Sequence, residues 1–380
     1  MSGLIVALAI GAGTPPASSL PPVLVRYSFR EIAMGCEATI EVATATESEA
    51  IRAASIGFKK IREIDEVLSD YLASSEVRRL SAEPDRACPI SECLFIALER
   101  SLTVAAATEG AFDPACGALS RLWREARASQ ELPSAGALLL ARDATGFRHL
   151  TLDRRASVLT FDRSGMSLDF GGIAKGLAAQ AARDAIVTMG QAGQAGHGVV
   201  LVSLAGDVAC GEAPPWGAGW RIAIETCVPG DSTEFVLATN LCLSTSGDAE
   251  QHLDVGGSRR SHIFDPRTGE AVTESRAVTV MAINGWFADA LATALSVDPP
   301  LMDRCAAQLS RVGGPFEARI VRGGITGAMP VVATTAGFAR TTPSGLVSLS
   351  GSRLAAPESP PAIGAMVPSP KSAASAAMDR

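Results

Sequence analysis

Apolar positions along the chain alternate in some stretches and recur at helical spacing in others, which predicts a mixture of strands and helices. Residues 38–44, ATIEVAT, alternate apolar and polar side chains as a half-buried strand does. The helical pattern covers residues 46–67, 91–109, 134–143, 173–189 and 286–297. Further strands are predicted near 149–161 and over 197–211, 220–226, 234–247 and 277–283. These elements follow no regular βαβ order, so we predict an α+β fold with a single large domain of mixed sheet and helices.

The two ends of the chain differ from this central domain, which we place at residues 25–341. Residues 342–380 are rich in Ala, Pro and Ser, with few large apolar side chains to bury, and predict a disordered tail. Residues 1–24 contain the apolar run LIVALAIGAG and predict a signal or leader, or a flexible arm. No Lys or Arg precedes that run, so export to the periplasmic side of a bacterial inner membrane and a cytoplasmic location both remain open.

Composition excludes some classes of protein. The net charge is −7 and no run of Lys or Arg occurs, which argues against a nucleic-acid-binding protein. The eight cysteines are scattered, form no CxxC motif and have no suitably spaced histidine partners, so we expect mostly buried free thiols.

Candidate chemistry begins with DFGGIAKG at residues 169–176, at a predicted strand-to-helix joint. The stretch lacks the Walker A and GxGxxG patterns, so it is either a tight turn with a solvated lysine or an anion site. In the second case, Gly171 and Gly172 let the backbone approach a ligand and Lys175 supplies a positive charge at the helix start.

Asp289 and Thr293, in ADALATA, are four residues apart and share one face of the predicted last helix. With a backbone carbonyl they make a hard-oxygen set suited to Mg²⁺, although an acidic residue near a helix start is also an ordinary feature.

The stretch HIFDPRTG, residues 262–269, combines good turn residues with three ionisable groups, His262, Asp265 and Arg267. It is either a plain turn or a site in which His262 acts as acid or base. Two further stretches, EGAFDP at 109–114 and AGDV at 205–208, are either element ends or parts of a site.

Taken in order, these stretches resemble one family, the ApbE family of FAD:protein FMN transferases. The motifs that carry the resemblance are AMG (33–35), LSDY with SE (68–76), EGAFDP, LDFGGIAKG (168–176), AGDV, STSGD (244–248), HIFDPRTG and ADALATA. They cover roughly residues 28–340, and the combination of HIFDPRTG, GGIAKG and ADALATA is specific. The resemblance implies an ApbE-like architecture related to the T-fold.

The resemblance also implies a site. Mg²⁺ is held by the backbone carbonyl of Gly172 with Asp289 and Thr293, next to the pyrophosphate of FAD. FAD is contacted by Met34, Tyr71, Ala111, Phe112, Asp113, Lys175, the backbone near Ala178, and Ile263. His262 is the catalytic residue, and we infer from its position that Asp265 orients it.

The implied reaction is attack by a Ser or Thr hydroxyl of a partner protein on the FMN phosphorus of FAD, with release of AMP. The partner carries a motif like Asp-x-x-Ser/Thr-Gly-Ala-Thr and is a membrane redox-complex subunit. Two alternatives remain open from the sequence: hydrolysis of FAD to FMN and AMP at the same site, and a non-catalytic FAD-binding protein. Residues 323–330, GGITGAMP, depart from the acceptor motif, so we do not expect the chain to modify itself.

The sequence departs from the family pattern at a few positions. Ser203 and Ala205 stand where relatives often have Asn and Gly, Gln180 stands in place of an aspartate, and Cys36 in place of a threonine. All predicted metal ligands and the histidine are retained.

Overall fold

An antiparallel sheet of eight strands forms the centre of the fold in the computed structural model, which describes residues 23–81, 87–191, 198–224, 234–247, 252–255, 258–323, 331–336 and 338. The strands are β1 Val25–Ala33, β2 Cys36–Thr44, β3 Cys88–Pro89, β4 Leu150–Asp153, β5 Val158–Phe161, β6 Val200–Leu204, β7 Asp207–Cys210, β8 Trp220–Ile224, β9 Glu234–Ala238, β10 Leu241–Gly247, β11 His252–Val255, β12 Ser258–Ser261, β13 Arg276–Ala282, β14 Phe316–Arg322 and β15 Val331–Thr334. The order in the large sheet is β1-β2-β6-β7-β10-β13-β14-β15. The remaining described strands form the small sheets β3-β5-β4, β8-β9 and β11-β12.

Helices cover one face of the large sheet. They are α1 Glu47–Leu68, α2 Glu76–Ser81, α3 Glu92–Ala107, α4 Gly117–Ser129, α5 Ala135–Asp143, α6 Ala174–Gln191, α7 Gly285–Val297, α8 Leu301–Arg304 and α9 Ala306–Gly313. α1, α6 and α7 pack side by side, and their apolar faces bury strand residues such as Ile40, Val202 and Val280. A smaller core on the opposite face includes Trp220 of the β8–β9 hairpin. Alternate residues of one strand serve the two cores, as the period of two requires.

The α+β prediction agrees with this architecture, and most predicted elements are present within a few residues. Two predicted strands are each divided. The stretch 197–211 turns at Ala205, whose φ is 52°, and forms β6 and β7. The stretch 234–247 is broken at Asn240, whose φ is 51°, into β9 and β10. In both, a short turn inside a long apolar run hid the division from the periodicity.

Other elements were not predicted, among them α4 and the edge strands β1 and β15. The leader prediction for residues 1–24 lies almost entirely outside the described residues, and the predicted tail, 342–380, lies wholly outside them. Within the described part of the chain, each helix is too short or too polar to cross a bilayer.

Candidate active site

The turn before α6 brings a lysine and two glycines to one end of that helix. Asp169 Oδ1 accepts a hydrogen bond from the backbone N–H of Gly171 at 2.7 Å. Lys175, in the first turn of α6, donates to the carbonyl oxygen of Gly171 at 3.3 Å. Gly172, which follows Gly171 in the turn, lies against α7, since a Cβ built there would be 2.8 Å from Thr293 Oγ1. Glycine therefore lets this backbone segment lie beside a hydroxyl group of another helix.

A close crossing of α6 and α7 places Asp289 at the same point. A Cβ at Gly176 would overlap the carbonyl oxygen of Gly285 and lie 2.6 Å from Asp289 Cβ. Because neither glycine has a side chain, the Asp289 carboxylate reaches α6, where its Oδ2 accepts the backbone N–H of Gly176 at 2.9 Å. Thr293 follows one turn later on the same face of α7. The structure thus places Asp289 and Thr293 on one face of α7, as their spacing predicts, and brings to them the Gly172 that the family resemblance implies.

A second buried carboxylate, Asp207 at the start of β7, completes the cluster. Its Oδ2 lies 3.4 Å from Lys175 Nζ, and its Oδ1 accepts a hydrogen bond from Ser244 Oγ on β10. The stretches AGDV and STSGD, which contain Asp207 and Ser244, are among the motifs named from the sequence, but neither residue was assigned a role in the site. The signal was present, since Asp207 follows a turn at the end of a buried strand, but a polar residue at a strand end is usually only a turn residue.

The ionisable groups of this cluster alter one another's pKa values. Burial disfavours the ammonium form of Lys175, yet the carboxylates of Asp207 and Asp289 outweigh burial and raise the pKa of the lysine. Burial, and then the negative charge of Asp207, raises the pKa of Asp289 to about 7, although Lys175 and two backbone N–H groups act in the opposite direction. Two carboxylates against one ammonium leave an excess of negative charge, which favours binding of a cation.

The donors present fit a hard divalent cation that also has ligands from outside the chain. Among the described residues, no group of three or more His, Cys, Asp or Glu side chains is arranged to bind a metal ion. A cation here would therefore rely on the Asp289 carboxylate, the Thr293 hydroxyl and a carbonyl of the Gly172 turn. Mg²⁺ suits such a set, because it prefers oxygen ligands and commonly retains water or phosphate oxygens.

The turn between β1 and β2 lies beside this cluster. Met34, with a φ of 51°, donates its backbone N–H to Asp65 Oδ2 on α1 at 3.0 Å. Burial raises the pKa of the half-buried Cys36, while the charge of Lys175 lowers it and that of Asp207 raises it. Cys36, one of the departures from the family pattern, is therefore close enough to the lysine and its carboxylate partner to sense both charges.

The predicted FAD-contacting segment 111–113 is almost completely buried. The Asp113 carboxylate accepts the backbone N–H of Ala115 at 2.7 Å and that of Phe147 at 2.8 Å, so it holds two loops together. Burial raises its pKa to about 6 against those two hydrogen bonds. Little surface of Ala111, Phe112 or Asp113 is therefore exposed, and contact of this segment with FAD stays a prediction. Ala178 on α6 is fully buried, and its contact with FAD likewise stays a prediction.

Tyr71, also predicted to contact FAD, is 74% exposed. The Arg124 guanidinium lies 4.4 Å from the centroid of its ring and binds Asp70 Oδ2 at 2.6 Å. Burial, and then the charge of Asp169, raises the pKa of Asp70. Asp70 lines a small cavity together with residues 167–168, so Asp70 and the adjacent Tyr71 lie near the turn that precedes α6.

The segment 262–269 follows β12 and lies against α4 and the end of α7. Trp123 Nε1 on α4 donates to the carbonyl oxygen of Gly269 at 2.8 Å, and Arg267 pairs with Asp298 at 3.1 Å. His262 is half-buried, as is Ile263, whose backbone N–H donates to Ser261 Oγ at 3.0 Å.

The Asp265 carboxylate binds Arg267, with both oxygens accepting hydrogen bonds from its guanidinium at 2.8 Å. Its described side-chain hydrogen bonds all go to Arg267, so the contact predicted between Asp265 and His262 is not among them. In the described contacts Asp265 holds Arg267 and the turn, and its role in orienting His262 stays a prediction.

The other departures from the family pattern have local structural partners. Gln180 Oε1 accepts the backbone N–H of Gly285 at 2.7 Å and so supports the start of α7. Ser203 Oγ donates to the carbonyl oxygen of Ala205 at 3.3 Å, within the turn that leads to Asp207. Gln180 therefore stabilises the start of α7, and Ser203 stabilises the turn that precedes Asp207.

Comparison with known proteins gives one consistent result. The sequence model of the ApbE family matches residues 34–310. The FAD:protein FMN transferase of Treponema pallidum is 31% identical over 291 residues, which is 71% of this chain and 78% of the relative.

Solved structures agree. The apo flavinyl transferase ApbE of Pseudomonas stutzeri superposes with a TM-score of 0.69 and 26% identity, covering 85% of this chain and 98% of that one. The ApbE protein of Thermotoga maritima has a TM-score of 0.71 at 24% identity, over 83% of this chain and 98% of that one, and supports the fold.

Proposed function

This chain belongs to the ApbE family, and we propose that it is a Mg²⁺-dependent FAD:protein FMN transferase. In the proposed reaction, a Ser or Thr hydroxyl oxygen of a partner protein attacks the FMN phosphorus of FAD. The bond between that phosphorus and the bridging oxygen breaks, AMP leaves with the oxygen, and a phosphoester joins FMN to the partner.

The observation that carries the proposal is the convergence of Lys175, Asp289, Thr293 and Gly172 at the N-terminal end of α6. A helix N-terminus and an adjacent ammonium attract a pyrophosphate. Asp289, Thr293 and the Gly172 carbonyl would hold Mg²⁺, which neutralises charge on the pyrophosphate and favours departure of AMP. Asp207 would keep Lys175 charged and in place until FAD arrives.

His262 would accept the proton of the attacking hydroxyl, a task for which the imidazole group is suited near neutral pH. Asp265 would act indirectly, by fixing Arg267 and the turn that carries the histidine. FAD would contact Met34, Tyr71, Ile263 and the backbone of the segment 111–113 and of α6 near Ala178. The acceptor would be a membrane redox-complex subunit carrying the Ser/Thr-Gly-Ala-Thr type of motif.

The test is to incubate the full chain with FAD, Mg²⁺ and a peptide containing Asp-x-x-Thr-Gly-Ala-Thr, with and without EDTA, and to measure peptide mass. We expect an increase by one FMN only when Mg²⁺ is available, together with AMP in solution. AMP without modified peptide would instead indicate FAD hydrolysis. Bound FAD without either product would indicate a non-catalytic FAD-binding protein.

A further inference from the structure

A small cavity lies beside Tyr71, between α2, the start of α4 and the segment 167–168, and has inner space for about one water-sized group. Its lining includes Arg78, Gly117, Arg121, Arg124, Ser167 and Asp70, and the Asp70 carboxylate already neutralises Arg124. Three arginines thus surround one opening in a chain whose net charge is −7. None of these residues is used in the proposed chemistry.

The cavity contains a buried polar atom without a partner. Ser167 is 2% exposed, and its Oγ makes no hydrogen bond with any described residue. A buried hydroxyl left unsatisfied costs roughly 1–3 kcal/mol, so such groups usually face a bound ligand or water. The Ser167 hydroxyl is packed against Gly117 at the edge of the cavity, and a ligand oxygen would reach it after a small movement of its side chain.

The start of α4 adds a positive electrostatic potential. The helix has 13 residues, and its N-cap, Cys116, makes no side-chain capping hydrogen bond. Its first residue, Gly117, lines the cavity against Ser167, since a Cβ there would be 2.6 Å from Ser167 Oγ, and its backbone N–H already donates to the Ser167 carbonyl oxygen at 3.0 Å. The N-terminal end of a helix attracts negatively charged groups.

The three arginines differ in whether they form an ion pair with a carboxylate. Arg124 already binds Asp70 at 2.6 Å. Arg78 and Arg121 are exposed, and neither forms an ion pair with another described residue. The two guanidinium groups at the mouth are therefore available for an oxyanion, which arginine binds well because of its planar set of donors.

We propose that this cavity, which we call the arginine pocket, binds a carboxylate side chain of the acceptor protein. The inference rests on the proposed function. The inner space suits a carboxylate oxygen and is too small for a nucleotide, and the pyrophosphate of FAD already has a site at Lys175. An acidic side chain in the arginine pocket would place the acceptor chain next to Tyr71, and so beside the FAD that Tyr71 is proposed to contact.

The experiment uses the full chain with two labelled peptides that contain Asp-x-x-Thr-Gly-Ala-Thr, flanked by glutamates in one and by glutamines in the other. The variant R78Q/R121Q is compared with wild type and with R155Q/R311Q, a control with the same charge change at exposed arginines on other elements. Peptide binding is measured by fluorescence anisotropy, and kcat and KM are measured for peptide and for FAD.

We expect wild type and the control to favour the glutamate peptide by roughly tenfold at low salt, less at high salt. R78Q/R121Q should lose this preference through a higher peptide Kd and KM, with kcat and the KM for FAD unchanged. An unchanged preference in R78Q/R121Q, or a raised KM for FAD, would overturn the proposal. Fluorescence anisotropy measures peptide binding even if no FMN is transferred. A failure of the proposed function can therefore be distinguished from a failure of the arginine pocket to bind the peptide.

Discussion

Lys175 Nζ lies 3.4 Å from Asp207 Oδ2, although the two residues are on different elements, the start of α6 and the start of β7. The Asp207 side chain is 4% exposed and that of Lys175 is 29% exposed, so water screens the pair only partly. The lysine is therefore charged and positioned by the protein itself. Such preorganisation lowers the cost of fixing the side chain when an anionic substrate binds.

Replacing Asp207 tests the value of this pair. We expect Asp207→Asn to lower the free energy of unfolding by about 1–3 kcal/mol, because Lys175 loses a buried partner while the volume and an acceptor for Ser244 Oγ are retained. The exposed Asp303→Asn, measured in the same urea titrations, should change it by less than about 0.5 kcal/mol. Equal stability of the two variants would show that desolvation cancels the attraction.

Asp289 is the carboxylate on which metal dependence should rest. Asp289→Asn retains an acceptor for the Gly176 N–H but lacks the charge, and we expect transfer to fall by roughly 100-fold or more. Asp289→Ala should be at least as impaired. Rates are measured across a Mg²⁺ titration, and a wild-type Mg²⁺ dependence in the Asn variant would contradict the metal assignment.

His262 should affect chemistry more than binding. We expect His262→Ala to slow FMN transfer by roughly 100-fold, the usual contribution of a general base, with the Kd for FAD nearly unchanged. His149→Ala, at a half-buried histidine elsewhere, is the control and should keep the wild-type rate. A normal single-turnover rate in His262→Ala would remove this histidine from the mechanism.

The raised pKa of Asp113 predicts that the stability of the protein depends on pH. Its pKa is about 6 in the folded protein and 3.8 as the reference value, so the folded state binds the proton more tightly. The stabilisation linked to this proton is complete only well below pH 3.8 and is lost as the pH rises from there through 6. Between pH 4 and 7, the wild type should lose about 2–3 kcal/mol relative to Asp113→Asn in urea titrations. A constant difference between the two proteins would contradict the raised pKa.

A substitution at Gly176 tests whether α6 and α7 cross as closely as the structure shows. Gly176→Ala should destabilise the protein by about 1–3 kcal/mol and slow FMN transfer, because its Cβ would overlap Gly285 and press on Asp289. Gly136→Ala, in the exposed helix α5, meets no atom within 4 Å and should be neutral or slightly stabilising. Thermal unfolding of both variants makes the comparison, and equal melting temperatures would exclude a tight crossing.

Much of the fold and of the site followed from the sequence by itself. Apolar spacing predicted the helices α1, α3 and α6, whose buried residues recur with the period of 3.6, and the apolar run of α7 predicted a helix that is buried on nearly all sides. The four-residue spacing of Asp289 and Thr293 likewise indicated a shared helix face. The motifs indicated the family, which the comparisons confirm.

Only the tertiary structure decided which residues meet across elements. Periodicity describes the neighbours of a residue along its own helix or strand, and carries no information on what another element brings to it. Three contacts could not be predicted for this reason: the pairing of Lys175 with Asp207, the binding of Arg267 by Asp265, and the grouping of arginines around Ser167. The polar or charged type of each residue was evident from the sequence, but its partner was fixed by strand order and by the close crossing of helices.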